Sequence, residues 1–177
     1  MEISKALNKY PEIQGHSIRV FLFVFHALKQ LPEDYLTKDQ ERNLLVAALF
    51  HDIGKSLWPS DWLTAPRKDI KESVWLAMQM HPVLGGEFLQ QLGFEVEPVL
   101  KIIIQHHEKQ DGNGYPNGDI PCREAVILSA CDMFSAMTED REYRKAIETE
   151  LALKILEEEI DKVVFDAISK ATKKGAC

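Results

Sequence analysis

Residues 123–137 read as a strongly apolar helix, yet an aspartate, Asp132, sits inside it between Cys131 and Met133. A carboxylate in an apolar interior is costly unless it is paired or bound to a cation. Any fold this chain adopts must therefore bring Asp132 a partner, whether a buried arginine, a hydroxyl or a metal ion. The rest of the chain also reads as helices with short connections, and no segment has the alternation of a strand. Glu12 to Leu31 carries Ile13, Val20, Leu22, Phe23 and Leu28 at helical spacing and ends at Pro32. Thr37, with Gln40 three residues later, predicts the N-cap of a helix that runs to His51 and stops at Gly54. Further helices are expected from Glu72 to Met80, from His81 (as N-cap, before Pro82) to Leu92, from Pro98 to near His107, and over most of Tyr143 to Thr172. Ser56 to Lys71 and Glu108 to Pro121 read as loops, and Lys173 to Cys177 as a frayed tail.

The 177 residues suit one domain with a real core, spanning 1–177. The net charge of −7 argues against an extended nucleic-acid track, though bound cations can still admit a small anionic ligand. No apolar run approaches the ~18 residues of a membrane span. Met1-Glu2 does not open a signal peptide, so the expected location is the cytoplasm, away from membranes. Cys122, Cys131 and Cys177 form no CxxC pair, which speaks against a disulfide framework and a cysteine zinc site.

The six histidines then become informative. His51-Asp52 closes an apolar helix, where such a pair serves as a cap as readily as a ligand. Glu12 and His16, four apart, share one helix face, either as a solvated pair or converging on a metal. His106 and His107 are adjacent at a helix end. Neighbouring helical residues point about 100° apart, so both serve one site only where the helix frays, or where they address different ions. Imidazole with carboxylate and no thiolate suits iron, manganese or similar ions better than structural zinc.

The ordered set His16, His51-Asp52, His81, His106-His107, Asp132 resembles the metal-binding signature of the HD superfamily of phosphohydrolases. His106-His107-Glu108 followed by Asp111-Gly112-Asn113-Gly114-Tyr115-Pro116 is similar to the defining motif of its HD-GYP branch. His51-Asp52-Ile53-Gly54-Lys55 and Asp140-Arg141-Glu142-Tyr143-Arg144 fit the same pattern, so the resemblance covers about residues 10–146. It implies an all-α, single-domain helical bundle of the HD type, with residues 147–172 as packing helices. It further implies a metal-dependent phosphodiesterase that opens cyclic di-GMP to the linear dinucleotide, GMP or both. The alternatives are an HD phosphohydrolase for another nucleotide such as cyclic GMP-AMP, or a module that binds a dinucleotide or a partner such as a diguanylate cyclase without turnover.

By the same resemblance, two or three divalent ions, iron or manganese, are held by His16, His51, Asp52, His81, His106, His107 and Asp132. Asp52 bridges two ions and Glu12 serves a third. Lys55 joins Asp52 in catalysis and touches substrate phosphate. Arg141 and Arg144 reach phosphates, with a solvated loop as the alternative. Tyr115 stacks on a base or binds a phosphate. Gly112 and Gly114 allow positive φ and a close backbone approach. Asp111 contacts substrate or braces the loop. The chain departs from the family after Lys55, where Ser56-Leu57-Trp58-Pro59-Ser60-Asp61-Trp62 replaces the usual Ile-Pro-Asp stretch and Ala65 stands for a lysine. Trp58 and Trp62 read there as lid-packing residues, with base stacking as the alternative. The loop after Pro116 is short, and Glu142 replaces a common proline.

Overall fold

A computed structural model describes residues 10–141 and 144–173, all helix and connection with no strand among them. The expectations placed on Glu142, Tyr143 and residues 174–177, Cys177 included, lie outside the described residues. The α-helices are α1 (Pro11–Leu28), α2 (Lys38–Phe50), α3 (Ser60–Thr64), α4 (Glu72–Met78), α5 (His81–Gln91), α6 (Glu97–Gln105), α7 (Arg123–Met137), α8 (Thr149–Glu159) and α9 (Lys162–Lys173).

The predicted start of α2 is present in full. Thr37 accepts from the Gln40 backbone while the Gln40 side chain accepts from the Thr37 backbone. The expected loop from Ser56 to Lys71 differs. It holds the end of a 3-10 turn (Ile53–Leu57), the short α3 and a second 3-10 turn (Arg67–Asp69). Pro59 and Pro66 each immediately precede one of these turns, where proline's fixed φ favours a start rather than a break. His81 is also not an N-cap. It is the first residue of α5, and its Nδ1 donates back to the Met78 carbonyl at 2.9 Å.

The helix α7 is buried nearly all round, as its sequence demands, and packs against α1, α2 and α6. Leu44, Ile103, Leu128 and Phe134 have no solvent exposure, and Phe23 meets Phe134 edge to face at 5.1 Å between ring centroids. The C-terminal helices return onto the same core, α8 against α7 and α9 against α1 and α7.

One contact fixes the geometry of everything that follows. The 3-10 turn after Asp52 lies against the start of α5 with no side chain between them. A Cβ on Gly54 would sit 2.1 Å from the His81 carbonyl oxygen and 2.7 Å from the Gly85 nitrogen. Only glycine permits that approach, and it brings His51-Asp52 and His81 together.

Candidate metal centre

Seven side chains from five segments converge in two groups. One is Asp52, His81, His106 and His107; the other is His16, His51 and Asp132. In each group the ligand atoms lie within 4.8 Å of one another. His16 comes from the buried side of α1 and Asp132 from α7, 2.8 Å apart (Nε2 to Oδ1). His51 and Asp52 follow the end of α2. The helix α6 ends at Gln105 with His106 as its C-cap, and the rings of His106 and His107 lie 4.0 Å apart between centroids.

Asp52 stands between the groups. Its Oδ1 lies 3.2 Å from His81 Nε2 and 3.9 Å from His106 Nε2, while Oδ2 lies 3.6 Å from His51 Nε2 and 4.0 Å from His16 Nε2. Lys55 adds its ammonium at 2.6 Å from Oδ2.

The backbone sets the tautomers. The Nδ1 atoms of His51, His81 and His106 each face the carbonyl oxygen three residues earlier, Ala48, Met78 and Ile103, at 2.9, 2.9 and 2.6 Å. A carbonyl only accepts, so these Nδ1 atoms carry the hydrogens, and it is Nε2 of each ring that is left to offer a lone pair to the site. His81 Nε2 and His106 Nε2 then oppose each other as two acceptors at 3.3 Å. His51 Nε2 and Asp52 Oδ1 are buried without a hydrogen-bond partner. Buried lone pairs aimed at one another are unfavourable alone and suit a shared cation. The donor set therefore fits divalent metal.

The electrostatics agree. Burial alone would raise the Asp52 carboxyl, but Lys55 and His51 outweigh it and hold it well below the usual carboxylate range. Burial likewise opposes ionisation of Asp132, and the His16 hydrogen bond overrides it. Burial lowers His81 and His106, helped by Lys55 and His107 respectively. His107 is pushed down to about 3 by burial and by His81. His16 goes the other way: burial would lower it, but hydrogen bonds to Asp132 and Glu139 raise it from 6.5 to about 9.

Glu139 is a residue the sequence reading missed. Its Oε2 lies 3.1 Å from His16 Nδ1, across 123 positions of chain, and so orients that ring through the nitrogen opposite the site. No local motif signals it. Glu108 is a second omission: buried, it accepts from the backbone of Asn117 at 2.7 Å and Gly118 at 3.0 Å and so closes the loop after His107.

The remaining expected site residues divide. Lys55, Tyr115 and Arg141 line a cavity of about 670 Å³ over the two groups. The Tyr115 ring lies 4.7 Å from His107, and burial keeps its hydroxyl protonated far above the usual range. Glu12 also lines the cavity but is exposed, and among the described residues it belongs to neither group. Asp111 is exposed and accepts from the backbone and side chain of Asn113, so it braces the loop. Gly112 has φ 74°, as expected, whereas Gly114 does not have positive φ. Gly114 is required because a Cβ there would lie 2.3 Å from the Lys109 nitrogen. Arg144 donates from its guanidinium to the carbonyls of Met137 (3.2 Å) and Ala136 in the last turn of α7.

The profile of the HD domain family matches residues 8–168. The 3'3'-cGAMP-specific phosphodiesterase 3 of Vibrio cholerae is 36% identical over 171 residues, covering 92% of this chain and 36% of that protein. The cyclic di-GMP phosphodiesterase response regulator RpfG of Xanthomonas campestris is 35% identical over 127 residues, 68% of this chain and 33% of the regulator. The chain thus spans about a third of the length of these curated relatives. Among solved structures, the HD domain of Listeria monocytogenes PgpH in complex with cyclic-di-AMP superposes with a TM-score of 0.74 at 17% identity, covering 97% of this chain and 95% of that one. Bd1817, an HDG"Y"P protein of Bdellovibrio bacteriovorus, gives a TM-score of 0.72 at 20% identity, covering 91% and 52%. At these identities the structural matches speak for the fold alone.

Proposed function

The chain belongs to the HD domain family, and from that premise we propose that it is a metal-dependent phosphodiesterase of the HD-GYP branch that opens cyclic di-GMP. The observation that carries this reading is the position of Asp52, with one carboxylate oxygen toward each group of imidazoles at the floor of the cavity. Two divalent ions, iron or manganese, would be held by the seven converging side chains, with Asp52 shared between them. When bound, such a pair supplies charge stabilisation to a phosphoryl group and a nucleophile derived from water at neutral pH.

The chain's own residues do the rest. Lys55 keeps Asp52 ionised and places a positive charge at the cavity floor. Arg141 brings a forked donor to the cavity wall, suited to a phosphate. The protonated Tyr115 hydroxyl is a donor over His107. Glu139 holds His16 in register. Glu12 is the reading's third-ion residue, though its exposed position gives it no comparable cage. The described helices share one core, which supports reading the chain as a single HD unit.

A hybrid cyclic GMP-AMP is the second reading for substrate, favoured by the relative at 36% identity whose name specifies that dinucleotide. The test is elemental analysis of protein purified without oxygen, then product analysis with cyclic di-GMP, 3'3'-cGAMP and cyclic di-AMP on the same sample. About two ions per chain and cleavage of cyclic di-GMP are expected. Cleavage of the hybrid alone selects the second reading. Binding of a dinucleotide without metal or turnover makes the chain a sensor module instead.

A further inference from the structure

All three tryptophans of the chain, Trp58, Trp62 and Trp75, line the cavity over the candidate metal centre. They lie between the Asp52 turn and α5, Trp58 and Trp62 in the stretch where the sequence leaves the HD-GYP pattern and Trp75 in α4. Trp58 is buried, its backbone oxygen accepts from the Tyr10 hydroxyl at 2.6 Å, and its ring meets His81 edge-on at 5.7 Å between centroids. Trp62 lies against Trp58 at 6.2 Å. The rings therefore lead from an imidazole of the centre outward along one wall. Trp75 and Arg67 also line the cavity, with the Arg67 guanidinium 4.6 Å from the Trp75 ring centroid. Arg67 is itself held by Glu72 at 2.6 Å and by the Ile70 carbonyl at 3.3 Å.

Ordinary packing accounts for Trp58, which is buried and shields His81. It does not account for Trp62 and Trp75, which are half-buried with surface left on the cavity. Indole offers a broad π face, and bases stack on such faces whatever their identity. A nucleotide with its phosphate at the imidazoles has a base one ribose away, the reach that the Trp58–Trp62 path spans.

Resting on the phosphodiesterase reading above, we propose that Trp62 and Trp75 form a stacking subsite for one purine base of the substrate, with Arg67 a positioning residue that fixes the Trp75 ring. This assigns the base contact to the segment between the Asp52 turn and α5.

Because every tryptophan lines the cavity, intrinsic fluorescence reports the wall directly. Manganese-loaded protein is titrated with a hydrolysis-resistant phosphorothioate of cyclic di-GMP and, separately, with inorganic phosphate, which carries no base. The phosphorothioate should quench the fluorescence saturably. In Trp75→Ala the ratio of phosphate Kd to dinucleotide Kd should fall about 5- to 150-fold, the usual effect of losing one stacked base. Trp75→Phe should recover most of it, and Trp62→Ala should act in the same direction. Should an alanine variant fail to fold, Trp75→Leu and Trp62→Leu, which keep apolar bulk without a π face, decide the matter by the same ratio. A ratio within twofold of the parent in the folded variants overturns the subsite. If those variants still bind and cleave the dinucleotide, the phosphodiesterase reading survives. A parent protein that neither binds nor cleaves any cyclic dinucleotide defeats both.

Discussion

The two halves of the centre share Asp52 yet sit in opposite states of readiness. Burial lowers His81, His106 and His107, helped by Lys55 at His81 and by neighbouring imidazoles at the other two, with His107 down to about 3. Two of these rings are locked by backbone carbonyls with their Nε2 lone pairs bare. Around His16, two carboxylates do the reverse and keep a proton on the ring up to about pH 9. One half is set for a cation at neutral pH, while in the other a proton stands in for the cation. Imidazoles of one centre thus behave differently: His81 and His106 turn the second ring nitrogen to a carbonyl, and His16 turns it to a carboxylate.

The strongest challenge to this contrast is Asp52→Ala. It removes the carboxylate whose two oxygens face the two halves, so metal content should fall from about two ions toward none and turnover to background; a variant retaining both ions would show that the halves are independent. Next come His106→Ala and Asp132→Ala, each expected to lose one ion by elemental analysis and leave the other half loaded. Titration against pH sharpens the distinction further. Affinity at the His16 half should rise about tenfold per pH unit up to about pH 9, because one proton must leave. Affinity at the His81 half should be flat above neutrality.

Stability of chelated protein should show the same split, with opposite signs. The raised His16 contributes stability that is full below its unfolded value of 6.5 and lost as pH rises through about 9. The depressed histidines favour the folded state least in acid, so the melting temperature should also fall below their unfolded value of 6.5. A flat profile on the alkaline side would remove the proton from His16. A smaller effect is expected from Glu139→Gln, which weakens one ion by about 10- to 100-fold, the usual cost of losing a group that orients a ligand. Glu12→Ala, at the exposed rim, should change metal content least.

Much of this was legible in the sequence because the signals were local or ordered. Thr37 with Gln40 announced the start of α2, and the uncommon Asp132 in an apolar helix announced a buried partner. The paired His106 and His107 were expected at a helix end, and Gln105 is where α6 stops. The rest was hidden for physical reasons. Glu139 acts across the fold, through a ring nitrogen that no spacing rule reaches. The contacts of Arg144 with the Met137 and Ala136 carbonyls at the end of α7 were likewise beyond any local motif. The contrast between the neutral His81 and His106 and the protonated His16 depends on burial and on what each second ring nitrogen meets, the Met78 and Ile103 carbonyls or the Glu139 carboxylate, and none of these is a property of a residue type.

The glycine at position 54 has a consequence beyond its own turn. Since bare backbone there abuts the His81 carbonyl and the Gly85 nitrogen, even a methyl group must wedge two ligand-bearing segments apart. The damage would register as a wider gap between Asp52 and His81, although no ligand atom had changed. The spacing of the cavity floor is thus governed by a residue that offers it no side chain at all.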